Sequence, residues 1–390
     1  MLWAASGERS YYLHDILVVG AGLAGAVCAR ELADAGFDVH VIDKRTHIGG
    51  NCFDYMHDSG VRIHKYGPHL FHTSNMKVVD WLSRFTEWTP YEHRVVARLP
   101  DQRLVPLPIN LDTISAVFNT SMDSPGAVAS LLASKAVRRD PVMSAEDHLY
   151  STIGPELTNL FFRPYTLKMW GMDLSEMSAA VVRRLEIRLD QDDRYFPNDR
   201  FQALPKEGYT RMFERILDHD RIQITLGEAF CRSRSEQYDF CFTSMPIDEY
   251  YEFSLGELPY RSIKFLVEDV PASEAPNYAV VNYTDSSDYT RETWWHMIGS
   301  YPAWKSETTP RTIEFPCDYK DNDFERYYPV KTSDNRYDAL YRCYAEYATQ
   351  SDHIAFIGRC GTYRYLDMHQ VVNQTLGLVA KWLDRISHGR

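Results

Sequence analysis

The chain has 390 residues, 44% hydrophobic and 25% charged, with 42 Lys and Arg against 54 Asp and Glu for a net charge of −12. That composition is the one of an ordinary soluble protein with two or three domains, and it excludes a disordered, collagenous or disulfide-stapled chain. The acidic balance argues against nucleic acid or an anionic membrane as a partner, because such surfaces attract positive charge.

The first residues, MLWAASGERSYYLHD, have no basic start followed by an apolar core, so no signal peptide is expected and the first dozen read as a loose extension. Ile16 to Val19 is a short apolar run, the pattern of a buried parallel strand. It stops at Gly20-Ala-Gly22-Leu-Ala-Gly25, and Gly25, Cys28, Leu32 and Ala35 then recur on one helical face, with Gly36 as a left-handed cap. Phe37 to Ile42 reads as a second strand closing on Asp43. Gly20 permits the tight turn, Gly22 the approach of a pyrophosphate, and Gly25 close helix–strand packing; Asp43 would accept from ribose hydroxyls. Lys44 follows directly, and Gly49-Gly50-Asn51 adds a second glycine turn, a pattern that resembles the glutathione-reductase-like FAD proteins. No second G-x-G-x-x-G exists, so FAD is expected as cofactor and a built-in NAD(P)H domain is not.

Between about 110 and 180 the pattern turns helical, with Pro164 expected to end a helix ahead of Tyr165, Thr166 and Trp170. Arg183, Arg184, Arg188 and Arg194 then cluster in an acidic chain, which suits a second diphosphate ligand or, more plainly, a solvated strand edge. From about 255 to 330 the residues alternate as in an antiparallel sheet, with Arg291 among them. Ile354 to Ile357 reads as a strand, followed by Arg359 as a cofactor ligand or surface cation. Asp367 and Gln370 look like a capping box opening a last helix, with Val372, Leu376, Val379 and Leu383 at helical spacing. The amino end of that helix would favour an anionic reduced flavin. The seven cysteines are scattered with no C-x-x-C, so no metal site is expected and a reducing, cytoplasmic compartment fits. No apolar run approaches ~18 residues, so no membrane span is expected.

The segments Gly67-Pro-His69-Leu-Phe-His72-Thr73, Tyr165-Thr-Leu-Lys-Met-Trp170-Gly171, Arg184-Leu-Glu-Ile-Arg188, Leu204 to Thr210, Pro246 to Tyr250, Leu258 to Ser262, Tyr327 to Val330 and Tyr365 to Gln370 together resemble the bacterial UDP-galactopyranose mutases. The resemblance implies an α/β protein with a discontinuous Rossmann-like FAD-binding domain (12–90, 205–255 and 331–390), a helical insertion (110–180) and a six-stranded antiparallel sheet domain (91–109, 181–204 and 256–330). It implies an isomerase that interconverts UDP-galactopyranose and UDP-galactofuranose without net redox change. Reduced flavin N5 would bond the sugar covalently, after reduction by an external donor. Arg184 and Arg291 would clamp the diphosphate, with Tyr165, Thr166 and Trp170 at the uridine. Tyr195, Asn282, Glu314, Tyr328 and Tyr365 would line the sugar and diphosphate. His69, His72, Asp367 and Met368 would lie against the flavin, whose other ligands would be Gly20, Gly22, Gly25, Asp43, Lys44, Gly50, Asn51 and Arg359. A homo-oligomer is implied as well.

Three departures from the family pattern stand out: Glu292-Thr-Trp294-Trp295-His296 after Arg291, Thr243-Ser-Met245, and His93 where Asn is common. The first is expected near the sugar or diphosphate. It leaves open a related nucleotide sugar, such as UDP-N-acetylgalactosamine or a deoxyhexose. A FAD-dependent oxidase is the rival from another class.

Overall fold

A computed structural model describes residues 15–183, 187–299, 301 and 304–388. The amino-terminal extension and Arg184, both singled out above, lie outside the described residues.

Ile16, Leu17 and Val18 are fully buried, as expected of a strand covered on both faces. The strand Asp15–Val19 is the centre of a five-stranded parallel sheet. The order across it is Ile222–Leu226, Asp38–Asp43, Asp15–Val19, Phe240–Thr243, Ile354–Phe356. The helix Leu23–Asp34 buries Gly25, Cys28 and Leu32, whereas Ala35 falls just past its end and is exposed. Gly36 takes φ +98°, the left-handed conformation expected of it. The last helix, Met368–Ser387, packs against this first one and buries Val372 and Val379.

The middle of the chain is helical. Asn110, Ser124 and Ser144 cap Leu111–Phe118, Pro125–Lys135 and Ala145–Leu157 through side-chain acceptors. Pro164 does not end a helix. It sits in the first turn of Arg163–Trp170, where its missing N–H leaves no bond unmade, and a π-turn at Thr158–Phe162 joins that helix to the one before. The real kink is at Gly154-Pro155. Gly154 has φ +77°, and an added Cβ would lie 2.3 Å from the Lys135 carbonyl oxygen.

The third part is a sheet of seven strands rather than six, the additional one being the two residues Tyr328–Pro329. Its order is Tyr328–Pro329, Tyr260–Pro271, Thr308–Asp318, Arg291–Trp294, Val280–Tyr283, Val95–Arg98, Leu104–Leu107. All neighbours are antiparallel except Val280–Tyr283 and Val95–Arg98, which run parallel because they meet from distant parts of the chain with no hairpin between them. Phe201–Pro205 pairs elsewhere, between Phe71–Thr73 and Trp88–Pro90 in a three-stranded sheet of its own. No helix among the described residues is long and apolar enough to cross a membrane.

Candidate active site

The dinucleotide end is built from main chain. A Cβ on Gly25 would come within 1.7 Å of the Gly20 carbonyl oxygen, and one on Gly50 within 2.8 Å of Gly22 Cα. The two glycine turns therefore abut, joined by the Gly49 N–H donating to the Ala21 carbonyl at 2.9 Å. Gly20 has φ +102° and faces Ser244, one of the departures, whose hydroxyl donates to the Val19 carbonyl at 3.0 Å. Asp43 is buried at the strand end. Its oxygens accept from the Ala21 N–H at 2.7 Å and the Arg45 N–H at 2.8 Å. A carboxylate has about four lone-pair sites, so two remain for ribose hydroxyls. A close main-chain cradle with a carboxylate at its edge fits an FAD.

Around that cradle the cationic and amide groups are already engaged. Lys44 lies 3.5 Å from Glu325 and is half exposed. Arg45 pairs with the same carboxylate, donates to Asn51 Oδ1 at 3.0 Å and lies over the Tyr66 ring at 4.4 Å. Two side chains escaped the sequence reading: Ile224 and Leu226 are both 37% exposed, and Leu226 is in register with Asp43. The alternation of Ile222-Gln-Ile-Thr-Leu226 is the signal that could have found them.

The inner end gathers histidines and sulfur. His69 directs Nδ1 at the Gly67 carbonyl (2.9 Å), and desolvation pushes its pKa down to about 3. It is a neutral imidazole whose proton belongs on Nδ1, because a carbonyl can only accept. His72 Nδ1 lies 2.6 Å from Asp199 Oδ2, and its ring stacks on Phe196 at 3.5 Å. Met368 Sδ is 3.7 Å from Cys52 Sγ, beside the Gly50 turn. The Asp367 N–H donates to Gln370 Oε1 at 2.9 Å, the cap expected at this helix start.

Three polar side chains line up in one row across the seven-stranded sheet. Asn282 is in register with Arg291, and Arg291 with Glu314. Arg291 Nε donates to Asn282 Oδ1 at 3.1 Å, and its Nη1 lies 3.7 Å from Glu314 Oε1. Glu314 is 3% exposed, that oxygen has no hydrogen-bond partner, and burial raises its pKa. Desolvation acts against the Arg291 charge, but the Glu314 carboxylate beside it holds the pKa above its usual value. Tyr328 stacks on Tyr365 (5.4 Å, 15°) and meets Trp170 edge-on at 6.2 Å. Arg359 lies over both stacked rings at 5.4 and 5.2 Å. Its nitrogens donate to the Leu366 and Tyr327 carbonyls, so it holds the tyrosine pair in place. Thr166 is buried on the helix of Tyr165 and Trp170.

The structure thus brings Asn282 and Glu314 directly to Arg291, with Tyr165, Tyr195 and Tyr328 near it and Tyr365 stacked on Tyr328. It takes Arg188 and Arg194 out. Arg188 is buried and donates to the carbonyls of Asp192, Arg194 and Tyr195, and Arg194 is tied to Asp192 at 2.7 Å. The tryptophan departure is also not where it was expected. Trp294 is buried beneath the Arg311 guanidinium at 5.3 Å, and Trp295 donates to Thr312 Oγ1 at 2.7 Å and packs on His64. Both fill cores and carry no information about the sugar. His93 does stay near the site, 5.4 Å ring to ring from Tyr195, with Nδ1 sealed and unpartnered.

A parallel sheet with two abutting glycine turns, beside a row of polar and aromatic side chains at Arg291, defines a flavoprotein of the dinucleotide-binding class. A family model described as UDP-galactopyranose mutase matches residues 160–365, and one described as an NAD(P)-binding Rossmann-like domain matches 18–85. The chain is 36% identical over 378 residues, 96% of each chain, to a Klebsiella pneumoniae protein described as a probable UDP-galactopyranose mutase. It is 35% identical to the dTDP-fucopyranose mutase of Escherichia coli, over 93% of this chain and 97% of that one. A crystal structure of reduced UDP-galactopyranose mutase superposes with a TM-score of 0.76 at 16% identity, covering 95% of this chain and 96% of that one. The chain belongs to the UDP-galactopyranose mutase family. It is an isomerase with a flavin cofactor, FAD.

Proposed function

We propose that this enzyme interconverts the pyranose and furanose forms of UDP-galactose, with no net redox change. The observation that carries the reading is the row Asn282–Arg291–Glu314, which sets a partly exposed guanidinium beside a sealed carboxylate. Arg291 would hold the diphosphate bidentately. Arg184 would close on it from the other side, and Tyr165, Thr166 and Trp170 would receive the uridine. The stacked Tyr328 and Tyr365 would keep water from the leaving diphosphate. Reduced flavin, when bound, would supply an electron-rich nitrogen nucleophile toward the anomeric carbon, with UDP leaving as its C1–O bond breaks. His69, neutral and with its proton toward Gly67, can accept a hydrogen bond at Nε2 but cannot protonate that centre. The amino end of Met368–Ser387 would favour negative charge on the reduced ring by ~0.3–1 kcal/mol. An external donor would reduce the flavin.

The test is incubation of dithionite-reduced and air-oxidised enzyme with UDP-galactopyranose, followed by chromatography. An isomeric product from the reduced enzyme alone supports the reading. Net oxidation with hydrogen peroxide overturns it in favour of an oxidase. A second reading, a nucleotide-linked deoxyhexose as substrate, is favoured by the similarity to the dTDP-fucopyranose mutase, nearly equal to that of the Klebsiella protein. The ratio of kcat/KM for UDP-galactopyranose and dTDP-fucopyranose decides between them.

A further inference from the structure

Lys168 belongs to the segment that delivers Tyr165, Thr166 and Trp170, yet nothing so far gives it a role. Its side chain is 11% exposed. The ammonium donates to the carbonyls of Tyr283 and Tyr289, each at 2.9 Å, with Ser287 Oγ at 3.5 Å and Asp285 Oδ1 at 3.7 Å. These two carbonyls bracket one turn. Asn282 immediately precedes the first, and Arg291 follows the second by two residues. Within the turn, Asp285 Oδ1 accepts from the Ser287 N–H and hydroxyl, and the Tyr283 N–H donates to the Thr290 carbonyl. None of those bonds ties the turn to the helical part. Lys168 does.

The helix that carries Lys168 is itself fixed from the opposite side. Arg261, on the strand Tyr260–Pro271, donates to the Met169 carbonyl at 2.9 Å and the Lys168 carbonyl at 3.2 Å. The Arg291 side chain, by contrast, has a single hydrogen bond to Asn282 and a 3.7 Å approach to Glu314. Its place relative to Tyr165 therefore depends on where the main chain puts it.

We infer that Lys168 is a positioning residue, which sets Arg291 against the diphosphate by tying its turn to the helix that carries Tyr165. The inference rests on the reading of Arg291 as the diphosphate arginine. It assigns Lys168 no contact with substrate. A misplacement of about 1 Å at such a group costs up to about a hundredfold.

The experiment measures UDP affinity of the FAD-loaded enzyme by flavin absorbance, with kcat and KM of the reduced enzyme. The proteins are the wild type, Lys168→Met, Lys168→Arg, Arg291→Ala and the Lys168→Met/Arg291→Ala double variant. Lys168→Met should weaken UDP by about tenfold or more and lower kcat/KM, with FAD still bound, and Lys168→Arg should recover part of both. In the Arg291→Ala background the methionine change should add less than about twofold, because its effect runs through the missing guanidinium. UDP affinity within about twofold of wild type in Lys168→Met, or an undiminished second loss in the double variant, overturns the inference. If Arg291→Ala alone binds UDP as wild type does, the reading of Arg291 fails, and the role of Lys168 with it. Should Lys168→Met give no folded flavoprotein, the same cycle with Lys168→Arg decides.

Discussion

Arg291 and Glu314 form a lopsided pair: the carboxylate is almost sealed, and the guanidinium keeps donors free for a ligand. Removing the arginine leaves an unpaired buried acid and, on the function proposed above, takes the diphosphate's partner away. Arg291→Ala is expected to cost about 2–5 kcal/mol of UDP affinity, measured by isothermal titration. At the other end of the cleft, Gly25→Ala would drive a methyl group into the Gly20 carbonyl, so the purified variant should be colourless at 450 nm. Retention of full flavin absorbance would contradict the abutting turns. The glycines and Asp43 were legible because they follow a local pattern, whereas Arg291 was singled out by the resemblance to the family. It could not show that Asn282, Arg291 and Glu314 share a row, since register is a property of strand pairs separated along the chain. The tryptophans misled for the same reason: whether a residue near Arg291 faces ligand or core depends on the strand it pairs with.

Among the elements, the segment between Asp318 and Tyr328 joins two strands of the seven-stranded sheet and crosses over to the nucleotide part on the way. Glu325 meets both Lys44 and Arg45 there. Arg45 also touches Asn51 and Tyr66, so this crossing closes over the side of the cradle where Asp43 stands. Glu325→Gln removes the charge that holds Arg45, and FAD should dissociate about tenfold faster or more, read from recovery of flavin fluorescence. An unchanged rate would mean that the crossing does not retain the cofactor. This strap was illegible in the sequence, as were the strands of three residues at Phe71–Thr73 and Trp88–Pro90, which are too short to show a period of two. Long elements with apolar spacing, such as Leu23–Asp34 and Met368–Ser387, were legible to within a few residues. Pro164 was misread because proline is as much at home in a helix's first turn as after its end.

For the whole molecule, histidines that fold neutral are expected to contribute to the acid limb of stability. Desolvation pushes His64 and His93, both nearly sealed, down to about 3 from 6.5. Below about pH 6.5 the unfolded chain takes up protons at these positions and the folded chain does not. Stability should therefore fall as pH drops through the window from 6.5 to about 3. Each histidine contributes up to about 1.4 kcal/mol per pH unit. Urea midpoints between pH 8 and pH 5 would measure the slope, and His93→Asn should flatten it. An equal slope in that variant would assign the limb to other groups.

The five-stranded sheet takes its edge strand Ile354–Phe356 and its covering helix Met368–Ser387 from the far end of the chain, although the glycine turns come from the beginning. During translation the nascent polypeptide exposes the Gly20 turn first, and on the order of tens of seconds pass before the ribosome delivers the helix that covers it. Cofactor capture should thereby wait until residues 354–387 have been made, which turns flavin loading into a checkpoint on that segment. A chain arrested before Ile354 should emerge apo, whatever the supply of FAD in the cell.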